Sequence, residues 1–227
     1  SGDRGFDEII KRCLRKSPDE RFSNFLELEE ALQGVYKRLT GERLKEETPE
    51  EFEAWELNNR GVSFSELGRY ERAIEDFNRA LEINPRDAEA YNNRGAAYYD
   101  KGDLDRAISD FNKAIEINPR LAEAYYNRGR AYYDKGDLDR AISDFNRAIE
   151  INPRYAEAYN NRGLAYANKG DLDRAISDFN GALEINPRYA EAYNNRGNAY
   201  YDKGDLDRAI SDFNRAIEIN PRYAEAY

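Results

Sequence analysis

The sequence predicts an all-α protein, an α-solenoid built of helix-turn-helix hairpins, on three observations. From Ala54 onward the 227-residue chain repeats itself without gaps, in blocks 54–87, 88–121, 122–155, 156–189 and 190–223, and Ala224 to Tyr227 open a sixth. Each block holds two runs whose apolar residues recur at helical spacing. Glycine and asparagine-proline breaks bound the runs. A fixed period of this length marks a unit too small to bury its own apolar face, so neighbouring units must stack to make a core.

The second block shows how each element arises. Tyr91, Gly95 and Tyr98 recur at spacings of 4 and 3 and define one face of a first helix. Lys101-Gly102-Asp103 then interrupts it: glycine suits a helix end and aspartate caps the next start. The second helix sets Leu104, Ala107, Ile108, Phe111, Ala114 and Ile115 along one stripe. Asn118-Pro119 ends it, because the residue before proline is driven out of helical geometry. Small Gly95, Ala107 and Ala114 alternate with bulky Tyr91, Tyr98 and Phe111, which lets two helices interlock. Ahead of the first block, Thr48-Pro49-Glu50-Glu51 reads as an N-cap, a proline at the first helical position and an early glutamate, so the first repeat helix is expected to begin there.

The pattern Tyr91, Gly95, Tyr98, Ala107, Phe111, Ala114 and Pro119 resembles the tetratricopeptide repeat (TPR). The first block matches through Leu57, Gly61, Phe64, Gly68, Ala73, Phe77, Ala80 and Pro85, and the others through Gly129, Gly163 and Gly197 with Phe145, Phe179 and Phe213. The resemblance covers about three quarters of the chain. It implies a right-handed superhelix with a concave groove lined by the first helices, and a non-catalytic protein-interaction scaffold. One departure stands out. Where the family usually has leucine before the glycine, this chain has Arg60, Arg94, Arg128, Arg162 and Arg196. An arginine between two helices needs a carboxylate, and Asp76, Asp110, Asp144, Asp178 and Asp212 are candidates; a ligand-binding arginine row is the alternative.

Repeats this similar make their exceptions informative. Four of the variable rows lie on the first helix. One holds Val62, Ala96, Arg130, Leu164 and Asn198, different in every block; the others run through Asn92, Tyr126 and Asn160, through Tyr99, Tyr133 and Ala167, and through Asp100, Asp134 and Asn168. Helical spacing puts these four rows on one face. Beside them runs an invariant row, Asn59, Asn93, Asn127, Asn161 and Asn195. One amide per repeat can donate to and accept from the backbone of an extended peptide, with specificity left to neighbouring pockets. The row is similar to the asparagine ladders of O-GlcNAc transferase-type and importin-alpha-type solenoids; asparagines bracing helix against helix are the other reading. Glu89, Glu123, Glu157 and Glu191, with Asp100, Asp134 and Asp202, give such a groove acidic walls, and Tyr99, Tyr133 and Tyr201 add flat apolar surface. The expected partner is therefore a protein or an extended peptide carrying Lys or Arg. Where chaperone-binding members use lysines to grip a C-terminal carboxylate, this chain has Asn58 and Glu123, so that mode is not expected.

Composition narrows the rest. The net charge of −10 argues against a nucleic-acid partner, which needs a surplus of Lys and Arg on one face. No run is long and apolar enough to span a membrane, and a cytoplasmic location is expected. Histidine is absent and cysteine occurs once, at Cys13, so no zinc site or Cys/His nucleophile can be assembled. Asp100, Asp103 and Asp105 lack the spacing of a calcium loop. No cofactor is expected.

Residues 1–41 read as a separate helical segment, 42–48 as a charged linker, and 49–227 as the repeat domain. Ile10 to Phe22, followed by Phe25, Glu27 and Leu28, resembles the last helices of a Ser/Thr protein kinase domain. The glycine-rich loop, Val-Ala-Ile-Lys strand, His-Arg-Asp loop and Asp-Phe-Gly of a kinase are missing, so phosphoryl transfer is not expected of this chain. The resemblance implies a recruitment domain of a larger kinase. A second expectation is self-assembly: a fifth repeat without a polar capping helix leaves an apolar face that can stack head to tail on another copy.

Overall fold

The structure, a computed structural model, describes residues 49–221. The kinase-like segment, the linker and the partial sixth repeat lie outside the described residues. Among those described there are ten helices and no strand. Pro49–Glu66 (α1) and Tyr70–Ile83 (α2) form the first hairpin, Ala88–Asp100 (α3) and Leu104–Ile117 (α4) the second, and Ala122–Asp134 (α5) and Leu138–Ile151 (α6) the third. Ala156–Asn168 (α7) with Leu172–Ile185 (α8), and Ala190–Asp202 (α9) with Leu206–Ile219 (α10), complete five. The two helices of a hairpin pack on each other, and the second packs on the first helix of the next hairpin. First helices also touch along the series α3, α5, α7 and α9. This is the expected α-solenoid, in which each unit meets only its neighbours.

Local signals place the helix ends where the sequence predicts. Helix α3 closes with Gly102 at φ 87°, a conformation that costs glycine nothing and any other residue a Cβ clash. Gly102 donates to the Tyr99 carbonyl and Asp103 to that of Tyr98, the paired bonds of a left-handed helix end. Asp103 then caps α4 by accepting from the Arg106 amide at 3.1 Å, and Asp137, Asp171 and Asp205 repeat this. Helix α4 stops at Asn118, whose side chain accepts from the Arg120 amide at 3.0 Å and so turns the chain around Pro119.

Packing explains the small-large alternation. Phe111 is fully buried and lies against Ala107 of its own helix and Ala131 of the next hairpin. The flat backbone at Gly95 receives its ring: a Cβ there would sit 2.7 Å from the ring edge. The same seat recurs for Phe77, Phe145, Phe179 and Phe213 at Gly61, Gly129, Gly163 and Gly197. From the other side, Arg106 of α4 lays its guanidinium over Tyr98 of α3 at 4.7 Å, and Arg140, Arg174 and Arg208 do likewise over Tyr132, Tyr166 and Tyr200.

The arginine row is a structural clasp. Nε and one terminal nitrogen of Arg94 donate to both oxygens of Asp110 at 2.7 Å, and its remaining nitrogen donates to Asn78 of the preceding hairpin at 2.7 Å. Arg128, Arg162 and Arg196 repeat the arrangement with Asp144, Asp178 and Asp212 and with Asn112, Asn146 and Asn180. Arg60 pairs with Asp76 in the same bidentate way. Hydrogen bonding to aspartate and the charge of that carboxylate together raise these guanidiniums above their ordinary value; burial opposes them and is the largest single effect at Arg128 and Arg162. This is the intra-hairpin ion pair expected above, widened into a bond between hairpins.

Candidate binding groove

The face carrying the variable rows runs along α3, α5, α7 and α9. At its centre is a cavity of about 400 Å³ lined by Tyr99, Tyr126, Arg130, Tyr133, Asp134, Phe145, Asn161, Leu164, Tyr189 and Glu191. It draws on four successive hairpins, so no single repeat contains it. Of the residues in those rows, Tyr99, Tyr126, Tyr133, Arg130, Leu164, Asp134 and Asn161 are brought together here. Phe145 and Tyr189 were not anticipated. Tyr189 sits in another variable row, with Leu121 and Tyr155, so drift between repeats was the available signal; Phe145 belongs to an invariant row and gave none.

Inside the cavity the polar groups are ordered. Tyr99 of the second hairpin donates its hydroxyl to Asp134 of the third. Asn161 donates to the Tyr126 hydroxyl at 3.0 Å, and Asn168 to that of Tyr133 at 2.8 Å. Tyr126 packs on Tyr155, ring centroids 4.8 Å apart, and on Phe145 at 6.0 Å. Burial pushes the Tyr99 phenol up to about 12, helped by its bond to Asp134; burial also raises Tyr126 and Tyr155. The guanidinium of Arg130 lies 4.5 Å from the Tyr99 ring centre and 5.8 Å from that of Tyr126. The cavity can therefore present aromatic faces, one cation and two carboxylates to a visiting chain.

Known proteins place this architecture. A family model described as TPR repeat matches residues 61–102, 95–136, 129–170 and 165–204, and one described as tetratricopeptide repeat matches 190–223. The chain belongs to the tetratricopeptide repeat family. Among solved structures, MamA is 32% identical over 73% of this chain and 96% of its own, with a TM-score of 0.64. YrrB, described as a TPR protein with an unusual peptide-binding site, is 30% identical over 73% of this chain and 85% of its own, with a TM-score of 0.59. TTC0263 of Thermus thermophilus, a thermophilic TPR protein, is 30% identical over 76% of this chain and 98% of its own, with a TM-score of 0.64. No curated protein sequence matches the chain.

Within these tetratricopeptide repeats the asparagine ladder has a definite place. Asn93 donates to Asn58 at 3.2 Å, Asn127 to Asn92 at 3.1 Å, Asn161 to Tyr126, and Asn195 to Asn160 at 3.0 Å. Each bond spans 35 residues, one repeat plus one position, and links successive first helices. Where tyrosine replaces asparagine at 126, its hydroxyl takes over the acceptor role. Each bond uses one of the two amide hydrogens of the ladder residue. Asn160 is fully buried, its amide held 3.4 Å from both Asn161 and Glu191. Asn59, Asn198, Asp100 and Asn92 do not line the cavity; Asn59, Asn198 and Asp100 are exposed and Asn92 is half-buried. Glu89, Glu123, Glu157 and Glu191 stand exposed in the first turns of α3, α5, α7 and α9.

No described helix is long and apolar enough to cross a membrane.

Proposed function

We propose that the concave face of the repeats binds an extended segment of a partner protein, with Lys or Arg side chains directed at the acidic walls. The cavity spanning α3 to α9 carries this reading, because four hairpins contribute to one continuous polar and aromatic surface. The peptide-binding description of YrrB supports the same assignment. Glu123, Glu157 and Glu191, at equivalent positions in successive first turns, repeat with the solenoid, and a strand-like peptide can meet such a series through alternate side chains. The ladder amides keep a second N–H, and those of Asn93, Asn127 and Asn195 also a carbonyl, that can meet a peptide backbone. The kinase-like stretch favours a role in bringing substrates or regulators to a larger kinase.

The test is a panel of extended lysine-containing peptides titrated against the wild-type chain and against Glu123→Lys with Glu157→Lys. Binding that weakens at high salt and falls about tenfold in the double variant supports the groove. Undiminished binding by the charge-reversed protein sinks it. Truncating the ladder is a poorer test, since these asparagines also tie the hairpins together.

A further inference from the structure

The groove contains one cation that, among the described residues, makes no direct ion pair although carboxylates line the same cavity. Arg94, Arg128, Arg162 and Arg196, the other half-buried arginines among the described residues, each hold an aspartate in a bidentate pair. Arg130 holds none. Tyr99 and Tyr126 lie against its guanidinium. Ring contacts satisfy the faces of a guanidinium but not its edge, where five N–H donors are arrayed. The two neighbouring hydroxyls are turned to other partners, Tyr99 donating to Asp134 and Tyr126 accepting from Asn161. Arg130 also occupies the one row that differs in every repeat, where the adjoining hairpins carry Ala96 and Leu164. The demand for an acceptor is therefore confined to a single position along the solenoid.

Resting on the groove reading above, the geometry points to Arg130 as a docking point for the side-chain carboxylate of one Asp or Glu within the bound segment. A carboxylate matches the planar donor fork in size and shape. Tyr99 and Tyr126 hold the guanidinium in one plane, so little side-chain freedom remains to be lost on binding. Asp134 and Glu191 line the same cavity, and their charge favours a monoanion over a dianionic phosphate. The groove continues past Arg130 in both directions, onto α3 and onto α7, which suits an internal residue rather than a chain end. The ligand is thus a mixed-charge segment: basic side chains on the acidic walls and one acidic side chain on Arg130.

The test uses acetylated, amidated peptides of Lys, Ser and Ala, roughly twelve residues or about 40 Å long, enough to cross several helices spaced about 10 Å apart. One glutamate is walked along them, with a glutamine twin at each position, and affinities are read by fluorescence polarisation on the full chain. At one register the glutamate peptide should bind wild type about tenfold tighter than its twin. Arg130→Leu, which installs the residue that α7 already carries in this row, should abolish that difference between the twins. Equal binding of the twins at every register overturns the assignment while leaving the groove standing, as does a preference that survives Arg130→Leu. Binding by none of the peptides overturns both. Tighter binding of a phosphoserine peptide, or of a glutamine peptide with a free C-terminus, overturns the choice of a side-chain carboxylate.

Discussion

Arg94 and Asp110 face each other across the second hairpin through two parallel hydrogen bonds of 2.7 Å, with side chains only 19% and 8% exposed. The pair stands where the family usually places leucine, and it recurs in every hairpin. Desolvating both ions offsets much of their attraction, so such a pair contributes less net stability than its geometry implies. Its selective advantage is directional: the third guanidinium nitrogen reaches Asn78 and orients one hairpin on the next.

Removing one partner should then cost far more than removing both. Asp110→Ala leaves Arg94 half-buried without its counter-charge and should destabilise the stack by about 3 kcal/mol. Combining it with Arg94→Leu should recover most of that loss. Denaturant midpoints of the single and double variants check this; equal midpoints for the two would contradict it.

Two glycines should respond oppositely to the same change. Gly95→Ala drives a methyl into the Phe111 ring and should cost about 1–3 kcal/mol. Gly181 lies inside α8, where glycine is about 1 kcal/mol worse than alanine. A Cβ there meets the Tyr159 ring at 3.1 Å, but the equivalent tyrosines already sit beside Arg147 and Arg215. Gly181→Ala should therefore raise the melting temperature, and a fall would show that the Tyr159 ring cannot yield.

The helix caps make the fold acid-sensitive. Asp137, Asp171 and Asp205 are held below the usual carboxylate range, first by the guanidinium three residues on and then by its backbone N–H; for Asp103 the Arg106 backbone N–H leads. A depressed folded-state value contributes stability above the unfolded value of about 3.9, and that contribution disappears as pH falls through the lower folded value. Circular-dichroism melts from about pH 6 down to about pH 2 should lose stability over that window. Asp137→Asn with Asp171→Asn should start lower and lose less.

Base acts on different residues. Tyr99, at about 12, and Tyr126 and Tyr155, also raised, favour the neutral phenol in the folded chain. Their contribution is complete below the ordinary tyrosine value of about 10 and is lost as pH rises through the folded values. An ultraviolet titration should show these phenols ionising after the bulk, together with loss of helicity. Tyr99→Phe should shrink the late phase.

Interactions inside one hairpin were legible because both partners lie on faces set by the helical period. The Arg94–Asp110 pair, the Asp103 cap and the Gly95 seat for Phe111 all follow from that period and from residue type. Bonds between hairpins were not. Asn195 to Asn160 and Tyr99 to Asp134 each span one repeat plus one residue, an offset set by how consecutive hairpins rotate against each other. A repeat period carries no information about that rotation.

By itself the sequence determined the period, the two helices per unit, their ends and the small-large packing code. These depend on local backbone preferences and on side-chain volume. Only the tertiary structure decided that the asparagine row also binds hairpin to hairpin, and that residues of four repeats enclose one cavity around Arg130. The reason is physical. Local propensities act within a few residues, whereas a groove exists only once stacked hairpins share a surface, and identical units then differ through the few positions that face it.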